Sequence, residues 1–245
     1  MGKDDFIFIA GPCAVESEDQ IVRIAKQLKE LGVDYLRGGV FKPRTSPKSF
    51  QGLQEEGLEY LLRAKEATGL PIITELLTID QVRKYADFVD IIQIGSRNMY
   101  NYELLKEVGK TNKKVVLKRG LSATFGEWLG AAEYIKQGGN EDIVLCERGI
   151  RGFDNATRNV LDLQAVPYIH NNTEYPIIVD PSHAAGNRYM IEPMSLAATA
   201  AGADGLMIEV HDRPDESMCD RSQAINIEQV SNIYNKVKTL RKVMK

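Results

Sequence analysis

Pro176-Ile177-Ile178-Val179-Asp180-Pro181-Ser182-His183 is the stretch whose reading decides the fold. Four apolar residues in a row, three of them β-branched, read as a strand buried on both faces. The strand ends at Asp180-Pro181, because proline has no amide to give to a ladder. Directly beyond that stop the chain places a carboxylate, a hydroxyl and an imidazole, with the guanidinium of Arg188 five residues further on. A buried strand that delivers polar groups from its C-terminal end is how parallel α/β folds build their sites. Taken alone, the stretch also fits a plainer reading in which Asp180 and Ser182 cap a helix and His183 lies on the surface.

The same pattern recurs on either side. Apolar strand-like runs occupy 6–10, 35–40, 71–76, 91–95, 114–118, 143–147 and 205–210, with 176–179 the seventh of eight. Helical stripes fall between them. Ile21, Ile24, Ala25, Leu28 and Leu31 follow the first strand, residues 58–67 the second, and Val82, Tyr85 and Ala86 the third. Ile227, Val230, Ile233, Val237 and Leu240 form the last stripe, at spacings of three and four. Eight strands alternating with eight helices in 245 residues predict an α/β fold, a closed (β/α)8 barrel (TIM barrel) in a single domain over 1–245, ahead of a doubly wound sheet.

Composition narrows the function. No apolar run approaches the ~20 residues of a membrane span, and the N-terminus lacks a secretory pattern. Three cysteines, Cys13, Cys146 and Cys219, are too few for a disulfide framework and fit a reducing, cytoplasmic setting. A formal net charge of −3 argues against nonspecific nucleic-acid binding, which needs a basic face. The expected partners are therefore small molecules, with no nucleic acid and no membrane.

In a closed barrel the C-terminal ends of all eight strands ring one mouth. Those ends carry Cys13; Arg37 with Lys42 and Arg44; Glu75; Arg97; Lys118 with Arg119; Glu147 with Arg148; Asp180 with His183; and Glu209 with His211. An acidic protein thus gathers at least six cations on one face, which suggests anionic ligands that offset their repulsion. Arginine suits carboxylate and phosphate through its planar fork, and lysine acts as a point charge. Any single cation here is as well explained by a pairing with Glu75 or Glu147. Cys13, His183, Glu209 and Asp220 form a second constellation: a thiolate, an imidazole and carboxylates suit a borderline divalent metal such as Mn, Fe, Co or Zn. Composition leaves Cys13 open as a small hydrophobe and His211 open in place of His183.

The wording of several segments adds to this. Gly11-Pro12-Cys13-Ala14-Val15-Glu16-Ser17, Arg37-Gly38-Gly39-Val40-Phe41-Lys42-Pro43-Arg44-Thr45-Ser46-Pro47, Ile94-Gly95-Ser96-Arg97-Asn98-Met99, Val116-Leu117-Lys118-Arg119-Gly120, Cys146-Glu147-Arg148-Gly149 and Asp180-Pro181-Ser182-His183 stand in this chain. Together they resemble the 3-deoxy-D-arabino-heptulosonate-7-phosphate (DAHP) synthases of type Iβ, and the likeness covers nearly the whole chain. The resemblance implies a (β/α)8 barrel that condenses phosphoenolpyruvate with erythrose 4-phosphate, the first step of the shikimate pathway to aromatic amino acids. It implies that Cys13, His183, Glu209 and Asp220 hold a divalent metal, with Mn preferred. Arg97, Lys118 and Arg148, with Arg37 and Lys42 nearby, would grip phosphoenolpyruvate. Lys42, Pro43, Arg44, Thr45 and Ser46 would face erythrose 4-phosphate, and Lys42, Lys118 and His183 would be catalytic, with Lys118 and His183 handling protons. Asp180 is expected to orient its neighbours. A homotetramer or homodimer is expected, together with a catalytic core that tyrosine, phenylalanine and chorismate do not inhibit.

The related 3-deoxy-D-manno-octulosonate-8-phosphate synthases differ where the aldehyde phosphate is read: their Lys-Ala-Asn-Arg-Ser-Ser corresponds here to Lys42-Pro43-Arg44-Thr45-Ser46. That stretch ranks them second. A barrel that binds a phosphorylated sugar without turnover explains the cations and leaves the metal set without a purpose. The segment around Asp220 reads Cys219-Asp220-Arg221-Ser222-Gln223, where relatives carry Ser-Asp-Gly-Pro-Gln. Cys219 beside a proposed ligand raises the possibility of an oxidative bridge to Cys13 that would expel the metal.

Overall fold

The computed structural model describes residues 6–44 and 46–244; Thr45 lies outside the described residues. Eight parallel strands close into a barrel in the order β1-β2-β3-β4-β5-β6-β7-β8, with β1 also paired to β8. The strands are β1 (Ile7–Gly11), β2 (Tyr35–Arg37), β3 (Ile72–Glu75), β4 (Ile91–Ile94), β5 (Lys114–Lys118), β6 (Ile143–Glu147), β7 (Ile177–Val179) and β8 (Gly205–Glu209). The expected barrel is therefore the observed one, with most strands one to three residues shorter than their apolar runs. The run 35–40 is cut most: Gly38 N–H still donates to Ile73 O at 3.0 Å, but Gly39 turns away to the neighbouring loop, where a Cβ would come within 2.4 Å of Cys13 O. Glycine there lets two mouth loops touch.

Helices fill the outside: α1 (Glu18–Leu31), α2 (Gln54–Thr68), α3 (Ile79–Tyr85), α4 (Tyr102–Gly109), α5 (Phe125–Gln137), α6 (Ala165–Asn172), α7 (Pro181–Ala185), α8 (Arg188–Ala200) and α9 (Ile227–Met244). The one beyond the expected eight is the short α7, the segment that carries His183. Ser17 caps α1 through Gln20 N–H, and Thr124 and Glu127 form a reciprocal capping box on α5. The main core lies between sheet and helices. A smaller one fills the barrel with Ile7, Ile9, Ile73, Ile91, Val116, Val144, Cys146, Ile178 and Met207.

Period two along each strand carries this inner layer up to the mouth. Ile73 is followed two residues on by Glu75, Ile91 by Gln93, Val116 by Lys118 and Met207 by Glu209. The lower end follows another rule. An aspartate stands immediately before each even strand, as Asp34, Asp90, Asp142 and Asp204. Three of them reach across to the preceding strand: Phe8 N–H donates to Asp34 Oδ2 at 2.7 Å, Ile72 N–H to Asp90 Oδ2 at 2.8 Å and Ile177 N–H to Asp204 Oδ2 at 2.7 Å. These bonds satisfy amides that the barrel's lower rim would otherwise leave unpaired. Among the described residues no helix is long and apolar enough to cross a membrane.

Candidate active site

A cavity of about 480 Å³ opens at the C-terminal mouth. Its lining includes Arg37, Lys42, Pro43, Arg44 and Ser46 from β2 and the loop after it, with Arg97, Lys118, Arg148, His183 and Asp220 from further along the chain. Ten of the expected site residues thus meet in one place. Cys13 and Glu209 are buried behind them, 2% and 1% exposed.

Cys13, His183, Glu209 and Asp220 bring ligand atoms within 4.8 Å of one another. Cys13 follows the proline that ends β1, and its Sγ lies 3.3 Å from Asp220 Oδ2. Lys42 Nζ donates to Cys13 Sγ and to Cys13 O, each at 2.9 Å. His183 Nε2 lies 3.3 Å from Glu209 Oε2. Glu209 Oε1 is buried without a hydrogen-bond partner, as is Arg37 Nη1, 3.8 Å from Glu209 Oε2. Burial and the neighbouring Cys13 raise the Glu209 pKa well above the carboxylate range. The Cys219 hydrogen bond and burial likewise raise Cys13, against the pull of Lys42 and His183. Such acids ionise together when a cation joins them. The donor set and the orphaned oxygen fit a divalent metal of the borderline kind.

Asp180 shows that the two readings of its segment are one. Its Oδ1 accepts His183 N–H at 2.9 Å as the cap of α7, with Pro181 in the first turn. Its Oδ2 accepts Lys118 Nζ at 2.6 Å and His183 Nδ1 at 2.7 Å. Burial works to raise the Asp180 pKa, but His183 and Lys118 outweigh it and hold the group well below the carboxylate range. With Nδ1 on Asp180, the other ring nitrogen is turned to the metal group. Ser182 Oγ accepts Glu209 N–H at 3.0 Å and locks β8 against α7.

Three residues expected at the mouth lie elsewhere. Arg119 and Glu147 face the helix layer, where Arg119 Nη1 binds Glu147 Oε2 at 2.9 Å and Asp162 Oδ2 at 2.8 Å, with its guanidinium 4.4 Å from the Phe125 ring. The reason is the strand period: Lys118 and Cys146 point inward, so their successors point out. His211 is held by Glu16 Oε2 at 3.2 Å and by Arg213 N–H at 2.9 Å, away from the four-donor group, which contains His183.

The Asp220 loop, which lacks Gly-Pro, is held by its own contacts. Asp220 sits at φ +46, a region that aspartate tolerates better than most residues. Met218 N–H donates to Glu16 Oε1 at 2.8 Å and Arg221 Nε to Ser217 O at 3.0 Å, so Glu16 anchors the segment. Cys219 is buried against Cys13 and Ala14; its hydrogen bond to Cys13 lowers its pKa to about 7. Sequence reasoning missed Arg151, Arg158 and Asn159, which also line the mouth. They lie in the loop after β6, where no periodicity marks them. The available signal was two further arginines within eleven residues of the Arg148 motif.

The fold and mouth define a (β/α)8 barrel with a cation-lined cavity, suited to anionic ligands, beside a candidate metal group. Comparison with known proteins gives the family: the DAHP synthetase I family model matches residues 1–245, and the chain belongs to that family. A curated relative, the phospho-2-dehydro-3-deoxyheptonate aldolase of Thermotoga maritima, is 49% identical over 98% of this chain and 71% of its own length. The crystal structure of phospho-2-dehydro-3-deoxyheptonate aldolase (DAHP synthase) from Thermotoga maritima matches with a TM-score of 0.95 at 48% identity, covering 98% of this chain and 70% of that one. The 2-dehydro-3-deoxyphosphooctonate aldolase of Geobacter sulfurreducens is 31% identical over 100% of this chain and 95% of its own length.

Proposed function

We propose that the chain makes DAHP from phosphoenolpyruvate, erythrose 4-phosphate and water, releasing phosphate. The observation that carries this reading is the convergence of the four-donor group and the cations of four strand ends, those of β2, β4, β5 and β6, on one cavity, in a chain of the DAHP synthetase I family.

Cys13, His183, Glu209 and Asp220 would hold the divalent cation, Mn in preference to Fe, Co or Zn. Bound there, it supplies Lewis acidity toward the aldehyde oxygen of the sugar phosphate. Arg97, Lys118 and Arg148 hold the phosphate and carboxylate of phosphoenolpyruvate, with Arg37 and Lys42 beside them. Arg148 is preset for this by its own bonds to Gly149 O and His183 O, each at 3.1 Å. Arg44, Ser46 and the loop through Pro43 face the phosphate of erythrose 4-phosphate, and Thr45 belongs to that loop by sequence. Held in this way, C3 of phosphoenolpyruvate attacks the aldehyde carbon. Water then adds at C2, and the hemiketal phosphate loses phosphate by C–O cleavage.

Lys42, Lys118 and His183 are the groups placed to act on the reacting atoms. Asp180 Oδ2 accepts from both Lys118 Nζ and His183 Nδ1, so one carboxylate fixes the ammonium and the imidazole side by side at the mouth, where they handle protons. Asp180 orients both and stays ionised. The barrel supplies every one of these residues and is the catalytic unit; we place it in the cytoplasm, as a homodimer or homotetramer joined through its outer helices.

The test is to supply phosphoenolpyruvate with four- and five-carbon aldose phosphates in turn and follow the loss of enolpyruvate absorbance. Consumption with erythrose 4-phosphate is expected. A preference for the five-carbon substrate would move the chain to the octulosonate reaction, and no consumption with either would leave a binding protein.

A further inference from the structure

Arg158 has no task in the reaction just described, yet it reaches both carboxylates of the metal group. Its Nη1 donates to Gln223 Oε1 at 2.6 Å, and Gln223 Nε2 donates in turn to Glu209 Oε2 at 2.8 Å. The same Nη1 lies 3.7 Å from Asp220 Oδ1. Gln223 is 1% exposed, so water does not replace either of its bonds. An amide held at both ends has one orientation, with the oxygen toward a donor and the nitrogen toward an acceptor. Arg158 supplies that donor and thereby turns Gln223 Nε2 onto Glu209.

The root of Arg158 is fixed as well. Its N–H donates to Ala185 O at 3.3 Å, and the next residue's N–H donates to Ala184 O at 3.0 Å, both on the helix that carries His183. A Cβ on Gly186 would come within 2.7 Å of Arg158 Cβ. The loop is closed on itself by the antiparallel bridge between Ile150 and Val160. From this clamped root the side chain, 38% exposed, lines the mouth cavity. Among the described residues Nη2 has no protein partner. One amine therefore serves the metal ligands while the other is available to an anion in the mouth.

We propose that Arg158, acting through Gln223, is a positioning residue that ties retention of the divalent cation to occupancy of the mouth by a phosphate-bearing anion. This rests on the metal-dependent reading of the site. An anion that takes Nη2 fixes the plane of the guanidinium, and the fixed plane holds Gln223 and Glu209 in ligating geometry. By linkage, the cation strengthens anion binding by the same factor. Lysine at this position keeps the charge but loses the two-ended fork.

The test is the Mn(II) dissociation constant of the full chain, measured by competition with a fluorescent chelator. It is measured with and without inorganic phosphate, free Mn(II) being corrected for its phosphate complex. Phosphate is expected to tighten Mn(II) binding to the unaltered protein by about 5- to 100-fold, the usual range of such couplings. Arg158→Lys and Gln223→Met are each expected to weaken Mn(II) binding about 10- to 100-fold, as loss of a group that orients metal ligands does. Both should also lose the phosphate effect. Gln223→Met leaves Arg158 in the mouth, so calorimetry should show its phosphate affinity in the absence of metal unchanged, which general loosening of the fold would not preserve. Unchanged Mn(II) affinity in both variants, or a phosphate effect that survives in them or is missing from the unaltered protein, overturns the proposal and leaves the metal reading standing. Failure of the unaltered protein to bind Mn(II) at all overturns both.

Discussion

The two ends of this barrel use aspartate and glutamate in opposite ways. At the lower rim Asp34, Asp90 and Asp204 each accept a backbone N–H from the strand before, and the layer above them is isoleucine and valine. Those polar groups are matched within the chain, and the result is stability. At the mouth Glu209 Oε1 and Arg37 Nη1 are buried without partners, and Arg97 stands exposed on the cavity wall. A buried polar group left unmatched costs about 1–3 kcal/mol. The lower end is complete as it stands, whereas the mouth is completed by what it binds. Changes at the mouth should therefore cost turnover, and changes at the base should cost stability.

The largest effect that can break this division is removal of the metal. Exhaustive EDTA treatment is expected to abolish DAHP formation, and added Mn, Co or Fe to restore it, read as phosphate release in a coupled assay. Full activity in verified metal-free protein would remove the Lewis acid from the reaction and leave the mouth a purely cationic site. Next in size is Arg97→Ala. Losing one charge-assisted contact of about 1.5–3 kcal/mol should lower kcat/KM roughly 10- to 150-fold. The melting temperature should stay put, because Arg97 is exposed and, among the described residues, its side chain bonds to no other element. A drop in melting temperature that matched the loss of activity would erase the distinction.

The base gives the converse. Asp90 Oδ2 accepts Ile72 N–H and also meets Lys65 Nζ at 2.7 Å. Asp90→Ala should cost about 1–3 kcal/mol, chiefly through the stranded amide. That corresponds to roughly 2–12 °C in Tm for a chain of this size. The kcat of the remaining folded protein should be unchanged; a fall in kcat with Tm preserved would show that the base transmits strain to the mouth.

How far each end could be read from the sequence differs for a physical reason. Strand runs and helical stripes betray the barrel because burial repeats with a period, and residues at strand ends such as Lys118 and Glu209 fall on the mouth by counting. The same counting, applied without regard to which face a residue takes, put Arg119 and Glu147 there too, although one residue turns a side chain to the other side of the sheet. Arg158 escaped because its loop after β6 has no repeat, and it reaches the mouth through tertiary bonds to Ala185 and Gln223. The aspartates of the lower rim escaped because a single residue before a strand reads as ordinary turn chemistry until its partner amide, some twenty residues away, is seen.

A further prediction concerns protons. Burial raises Glu209, and the Cys219 hydrogen bond and burial raise Cys13, so without metal both hold their protons more tightly than free side chains do. Ligation requires them ionised, so metal uptake should release protons and metal affinity should rise with pH. Titration of Mn(II) into weakly buffered protein with a pH indicator reads this directly. Uptake without release would mean that the two groups are already ionised in the empty site.

The smallest effect tests whether the lower rim is one device or four separate residues. Asp142 occupies the fourth aspartate position, before β6, but its carboxylate is 59% exposed and pairs with Lys114 Nζ in place of a backbone amide. On the strand before, Val115 N–H donates to the backbone Asp142 O at 2.9 Å, a bond that any residue at this position makes. An exposed ion pair is worth about 0–1 kcal/mol and is screened by salt. Asp142→Ala should therefore shift Tm by much less than Asp90→Ala, and the small shift should shrink further at high salt, whereas the Asp90 effect should persist. Equal losses in the two variants would mean that charge at the rim, and not the caught amide, is what these aspartates contribute. The opposition between a matched base and an unmatched mouth would then have to be redrawn in terms of field strength.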